Sequence, residues 1–182
     1  MSSRTGDLKY SLIYESPFPS HMTVDEIKSL LHLRPHPREG GFFAETYRSS
    51  LETAIADGQR SLATAIYYLL TPGTFSEMHR LPGDEIFHFY LGDPVEMLQL
   101  FRDGSSSVVV LGQDIQRGQR LQHVVPGGVW QGSRLVEGGR FALLGTTMSP
   151  GFAYEDYVSG TKDALVAQFP DRAVMVAQLS RK

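Results

Sequence analysis

Hydrophobic and polar positions alternate with period two along most of the chain, in short runs punctuated by Gly, Pro and Asp. Residues 40–48 read as a strand with Phe43, Glu45 and Tyr47 on one face. Residues 62–70 form a strongly apolar strand of the kind buried on both faces, with either Tyr67 or Tyr68 turned inward. Residues 73–92 read as two strands joined by a turn at Leu81-Pro82-Gly83. Residues 95–101 and 107–111 make a hairpin around Asp103-Gly104. Further strands fall at 121–125, from 129 onward, at 140–148 and at 154–158, separated by Pro126-Gly127-Gly128, Gly138-Gly139 and Ser149-Pro150-Gly151. Residues 49–60 read as a polar loop, 113–118 as a polar connection, and 173–179 as a short strand or loop.

Helical spacing occurs twice. Over 24–33, Ile27, Leu30 and Leu31 share a face, and Thr23 with Glu26 makes a capping box. Met22 and Ile27 suit a hydrophobic staple, and Arg34-Pro35-His36-Pro37 ends the helix. A second helix spans 161–169 and stops at Pro170. Roughly nine or ten short strands with turns at near-regular spacing predict an all-β sandwich or closed double-sheet barrel with a helix near each end. Residues 1–22 read as a loosely held arm and 23–182 as a single domain.

Composition narrows the function. The chain has 182 residues, a net charge of −3 and no cysteine. That length supports one domain. The absence of cysteine removes disulfides, thiolate metal sites and Cys nucleophiles. Lys and Arg are dispersed, so no nucleic-acid footprint is present, and no apolar run reaches membrane-spanning length. Without a secretory signal pattern, the expected location is the cytoplasm. G-x-S-x-G, P-loop and strand-linked G-x-G-x-x-G motifs are missing.

Chemistry concentrates in residues 73–92. On the strand after Pro82-Gly83, Glu85, Phe87 and Phe89 share one face, and Asp84, Ile86 and His88 the other. Arg80 and Asp84 are expected to pair with each other. His21, His32 and His36, near proline or in loops, read as solvated. His123 alternates with Leu121 and Val125 and reads as a satisfied core histidine. Phe87, Phe89 and Trp130 are core residues or the wall of a pocket. Glu45 either pairs with Arg48 or Arg80 or accepts a hydrogen bond from a ligand.

Gly73, His79, Glu85 and Gly92 fall on the spacing of the first cupin motif, with Leu81 in place of its second His. Pro126-Gly127-Gly128-Val129-Trp130-Gln131 echoes the second motif, with Gln131 in place of its His. The phrases GGFFAETYRS, TAIYYLL, HRLPGDEIFHFYLG, VPGGVW and SPGFAYEDY resemble a cupin subfamily catalogued as a domain of unknown function. Gly41-Phe42-Phe43-Ala44-Glu45 is similar to a segment of the dTDP-sugar epimerases, themselves cupins, that helps hold the nucleotide.

The resemblance implies a double-stranded β-helix, or jelly-roll barrel, that binds a small molecule and pairs as a homodimer, with the N-terminal arm available for exchange. A metal-binding cupin offers three His and one Glu. This chain retains His79 and Glu85 of that set, so neither a resident metal nor another cofactor is expected. The implied chemistry is epimerase- or isomerase-like, on a sugar- or nucleotide-sugar-like ligand. His79 is the implied base, oriented by Glu85, with Phe42, Phe43, Glu45, Tyr47, Phe87, Phe89, Trp130 and Gln131 as ligand-binding positions. The plain alternative for His79 and Glu85 is a buried polar pair that satisfies itself. Two rival functions remain open: a metal-dependent cupin dioxygenase or isomerase, and a non-catalytic binding or storage module.

Overall fold

The computed structural model describes residues 22–56 and 58–181. The expected arm lies outside the described residues except for Met22, which packs in the cluster around Ile27. Helix α1 (Val24–Leu30) opens on the capping box. Thr23 Oγ1 accepts from the Glu26 N–H at 3.2 Å, and Glu26 Oε2 accepts from the Thr23 N–H at 2.8 Å. The helix ends before Leu33, because His32 turns to φ 53° and Pro35 holds Arg34 extended.

The chain then forms β1 (Arg34–Pro35), β2 (Phe42–Arg48), β3 (Glu52–Ile55), β4 (Gly58–Ser61), β5 (Thr64–Leu70), β6 (Phe75–Arg80) and β7 (Glu85–Gly92). After these come β8 (Val95–Leu100), β9 (Ser106–Leu111), β10 (Gln122–Val125), β11 (Trp130–Leu135), β12 (Ala142–Met148) and β13 (Val158–Ser159). Helices α2 (Lys162–Gln168) and α3 (Ala173–Gln178) close the fold. One sheet runs β1-β2-β5-β12-β7-β10 and the other β13-β6-β11-β8-β9, with β3-β4 as a separate hairpin. The architecture is the expected mainly antiparallel double-sheet jelly roll.

Alternation decides what each sheet buries. Phe43, Tyr68, Leu70, Phe87, Phe89, Met97, Val109 and Leu144 meet between the sheets. Tyr68 is thus the inward tyrosine of β5, and Tyr67 joins the outer layer under α1 with Leu69 and Leu143. The outer face of the second sheet is covered by α2 and α3, where Leu165, Phe169, Val176 and Leu179 pack on Met78, Leu98 and Leu100. Burying a Leu of this kind contributes about 1.5–3 kcal/mol. Among the described residues, no helix is long and apolar enough to cross a membrane.

Three expectations change. Residues 49–60 contain the β3-β4 hairpin, whose side chains are half-buried or exposed and so carry no apolar signature. Residues 173–179 contain a helix rather than a strand or loop: Val176 and Leu179 lie three apart and both reach the core. Residues 154–158 contain a 3₁₀ turn, Tyr154–Asp156, followed by the short β13. There Tyr157 is buried against Leu81 and Met148 instead of alternating along a strand.

Two of the three register shifts among the described strands bear on the site. In β2, Glu45 pairs with Ile66 but Tyr47 with Ala65, so β2 carries one extra residue. In β6, His79 lies opposite Gln131 and Ser76 opposite Ser133, so β6 also carries one extra residue. The second shift lets Ser76 and His79 both turn inward despite their odd spacing.

Candidate functional site

His79 lies on β6 and is 1% exposed. Its Nδ1 lies 2.8 Å from the Glu77 carbonyl oxygen, which only accepts, so Nδ1–H donates. Nε2 then holds a lone pair and has no hydrogen-bond partner among the described residues. Burial pulls the His79 pKa down, against the opposing pull of the Glu85 carboxylate. The Tyr157 ring stacks on the imidazole with centroids 4.8 Å apart. The Tyr157 hydroxyl donates to Glu77 Oε1 at 3.2 Å, so the same residue closes the far side of the histidine.

Glu85 opens β7 on the facing sheet and is 6% exposed. Gln131 Nε2 donates to Glu85 Oε2 at 2.7 Å. Burial pushes the Glu85 carboxyl up to about 7, helped by the negative charge of Glu39 and opposed by His79, Thr146 and Gln131. A carboxyl at that point is part ionised at neutral pH, which suits it to give and take protons.

A cavity of about 130 Å³ opens beside Glu85. Glu39, His36, Phe43 and Leu81 line its buried part, and Arg34, Glu45, Arg48 and Tyr154 its exposed rim. Glu45 pairs with Arg48, the first of its two expected roles, and it also lines the cavity. Arg48 Nε donates to Oε1 at 3.0 Å and Nη2 to Oε2 at 2.7 Å.

Residues 25–159 match the family described as "Cupin superfamily (DUF985)". The chain belongs to the cupin superfamily. Among relatives, the uncharacterized protein YML079W of Saccharomyces cerevisiae is 30% identical over 159 residues, 79% of each chain. A solved hypothetical protein from Leishmania major matches with TM-score 0.82 and 30% identity, covering 88% of this chain and all of its own. Protein SO0799 from Shewanella oneidensis matches with TM-score 0.81 and 34% identity, covering 88% and 99%. The resemblance read from the motifs is therefore correct at the level of fold and family.

Several residues expected at the ligand lie elsewhere in this cupin. Tyr47 leaves the Phe43–Glu45 face at the β2 bulge and is 53% exposed, while Arg48 takes the inward place. Phe42 points to the outer layer, where the Lys28 ammonium lies 3.9 Å from its ring centroid. Phe87 and Phe89 face inward as the alternation requires, but they are packed into the core and do not line the cavity. Trp130 neighbours the inward Gln131 and so faces outward, under α2, with the Arg80 guanidinium over its ring at 4.7 Å. Gln131 reaches the site through Glu85, and His79 lies behind the cavity wall.

Arg80 and Asp84 do not pair: the Gly127 N–H donates to Asp84 Oδ1 at 2.8 Å. His88 leaves the interior as expected, with Nε2 3.1 Å from Thr147 Oγ1. His123 is half-buried with Nε2 2.9 Å from Gln99 Oε1, a satisfied histidine as read.

His36 is the main correction and Glu39 the main addition. His36 is buried rather than solvated, and its Nδ1 accepts from the Glu39 N–H at 2.8 Å. Its ring meets Phe43 edge-on at 4.6 Å, and burial pulls its pKa down to about 4. Glu39 Oε1 accepts from Ser76 Oγ at 2.6 Å. The proline-rich approach signalled a helix stop and hid both residues. The glycine pair Gly40-Gly41 was the available signal. Both take positive φ, 104° and 66°, and they turn the loop back into the barrel.

The donor set does not fit a resident transition ion. At the motif positions His79 Nε2 and Glu85 are the two strong donors, and Gln131 Oε1 is a neutral oxygen. Leu81 donates nothing and packs with Met148 and Tyr157. Among the described residues, no group of three or more His, Asp and Glu is placed to hold a metal. A larger groove of about 600 Å³ lies between the 72–75 turn, residues 134–139 and α3. Its charged residues are Arg134, paired with Glu96 at 3.3 Å, and Glu137, so it offers less chemistry than the smaller cavity.

Proposed function

We propose that this cupin binds a small hydroxyl- and carbonyl-bearing ligand beside Glu85 and moves a proton on it, as an isomerase or epimerase does. The carrying observation is that Glu85 both lines the cavity and is bonded to Gln131 next to His79. Gln131 holds Oε2, and the carboxylate's remaining acceptor positions meet the ligand. Ionised Glu85 removes a proton from a carbon next to a carbonyl, and the C–H electron pair moves into the carbonyl to give an enolate. Return of that proton, to the same carbon on the other face or to the neighbouring carbon, gives the epimer or isomer with no other reactant. His79 acts through Glu85: its unpartnered Nε2 takes up a proton, and the imidazolium so formed stabilises the ionised carboxylate. The cavity of about 130 Å³ has room for about four waters. That volume suits a sugar fragment rather than a whole nucleotide sugar.

The test is washout of carbon-bound hydrogen into D₂O, followed by proton NMR, with dihydroxyacetone, glyceraldehyde and erythrose as probes. Wild-type protein should accelerate washout for at least one probe. Glu85→Gln and His79→Ala should lose about a hundredfold or more while melting cooperatively. Equal rates in the variants, or no acceleration by wild type for any probe, would end the proton-transfer reading and leave binding alone.

A further inference from the structure

The same cavity holds a second carboxyl group that no motif marks. Glu39 reaches it from the loop between β1 and β2, while Glu85 reaches it from β7. Three hydrogen bonds fix Glu39. Its carboxyl accepts from Ser76 Oγ at 2.6 Å and lies 4.0 Å from His36 Nε2. Its N–H donates to His36 Nδ1 at 2.8 Å, and its carbonyl accepts from the Glu77 N–H at 2.9 Å. The side chain is 13% exposed, so the protein holds an acid in place where an apolar residue would pack without desolvation cost. Two further buried atoms adjoin the site without partners among the described residues, His79 Nε2 and Gln131 Oε1.

We propose that Glu39 is a specificity-determining residue of this cavity, which with Glu85 selects a hydroxyl-bearing ligand without negative charge and rejects anions. The inference rests on the reading of the cavity as a ligand site. An anion there would sit against two carboxyl groups in a space of about 130 Å³, and like charges held that close repel. The rim arginines do not reverse this. Arg48 is committed to Glu45 in a two-point bond and also donates to the Phe152 carbonyl at 3.2 Å. Arg34 lies over the Phe43 ring at 5.1 Å. Against these two cations stand Glu45 and the part-ionised pair of Glu39 and Glu85, so the site offers an anion no net positive charge. A hydroxyl can donate to an ionised carboxylate and accept from a protonated one, so a neutral polyol or hydroxyketone satisfies the pair in either state. Phe43, Ile66 and Phe152 supply the apolar wall for its carbon face.

Three probes of similar size and different charge test this: dihydroxyacetone (neutral), glycerate (anionic) and serinol (cationic). Binding is followed by NMR shifts of the Ile66, Leu81 and Met148 methyl groups, which line the cavity. Dihydroxyacetone should shift these methyls in wild type, and glycerate should bind about tenfold or more weakly. Glu39→Gln should weaken dihydroxyacetone and narrow its advantage over glycerate. Glycerate binding wild type as well as dihydroxyacetone or serinol does would overturn the inference, and so would an unchanged ratio in Glu39→Gln. Failure of all three probes to move the methyls overturns it too. The wild-type series stands even if the variant does not fold. Hydrogen washout judges proton transfer separately, so the two ideas can fail independently.

Discussion

Glu85 Oε2 accepts a hydrogen bond from Gln131 Nε2 at 2.7 Å, and this bond joins the two sheets across the interior. Glu85 begins β7 in the six-stranded sheet, and Gln131 lies on β11 in the five-stranded sheet, opposite His79. One glutamine thereby links an acid on one sheet to the strand position opposite a buried imidazole on the other. Residues six apart in sequence are placed on facing sheets because the chain folds back on itself at Leu81-Pro82-Gly83.

Gln131→Leu removes that bond and leaves the Glu85 carboxyl buried without it. The expected loss of stability is about 1–3 kcal/mol, the range for a stranded buried polar group. The bond favours the ionised form of Glu85, so its removal should raise the Glu85 pKa further. Urea unfolding measures the first effect, and ¹³C NMR titration of the Glu carboxyls measures the second. An unchanged Glu85 titration would show that the bond does not stabilise the charge.

Glu85 and Glu39 are each pushed up to about 7 in the folded protein, from a reference of 4.5. Between those values the native state binds more protons than the unfolded state, so these groups make stability fall as pH rises. Their contribution is full below about 4.5 and gone above about 7. His36, pulled down from 6.5 to about 4, acts in the opposite direction over most of that window, and the lowered pKa of His79 also opposes them. The net profile of wild type is therefore shallow. Glu85→Gln removes one descending component, so its melting temperature relative to wild type should climb from pH 4.5 to 7 and then level off. Parallel profiles for the two proteins would contradict the raised pKa.

Much of the fold was readable because period two, turn residues and the Thr23–Glu26 cap all act locally. The inward face of Glu85, Phe87 and Phe89 and the outward turn of His88 followed from alternation alone. What escaped depended on pairing between distant strands. The β2 bulge exchanges Tyr47 for Arg48 at the cavity, and its cause is the register with β5, which no single strand reveals. Trp130 faces α2 because its neighbour Gln131 must face Glu85, a choice made by the partner. His36 and Glu39 lie in a loop without periodicity, and only the folded chain carries that loop into the barrel.

The side chains of His79, Glu85 and Gln131 are inferred to converge, and that can be tested by asking them to hold a metal. Gln131→His adds an imidazole beside Glu85, and Leu81→His adds another from the cavity wall, where Leu81 lines the same space as Glu85. The double variant then offers three imidazoles and a carboxylate, a set that holds a divalent transition ion where wild type offers two strong donors. Cobalt(II) is the informative probe, because its visible absorption reports coordination by protein nitrogen. The double variant should bind about one equivalent and resist dialysis, while wild type should lose its cobalt. Burying His at position 81 removes the contacts of Leu81 with Met148 and Tyr157, so the apo variant should melt below wild type and recover on adding cobalt. If the double variant folds, as judged by its β-sheet circular dichroism, and still binds no cobalt, the His79 lone pair does not point at the space shared by Glu85 and Gln131. Its partnership with Glu85 would then have to be abandoned.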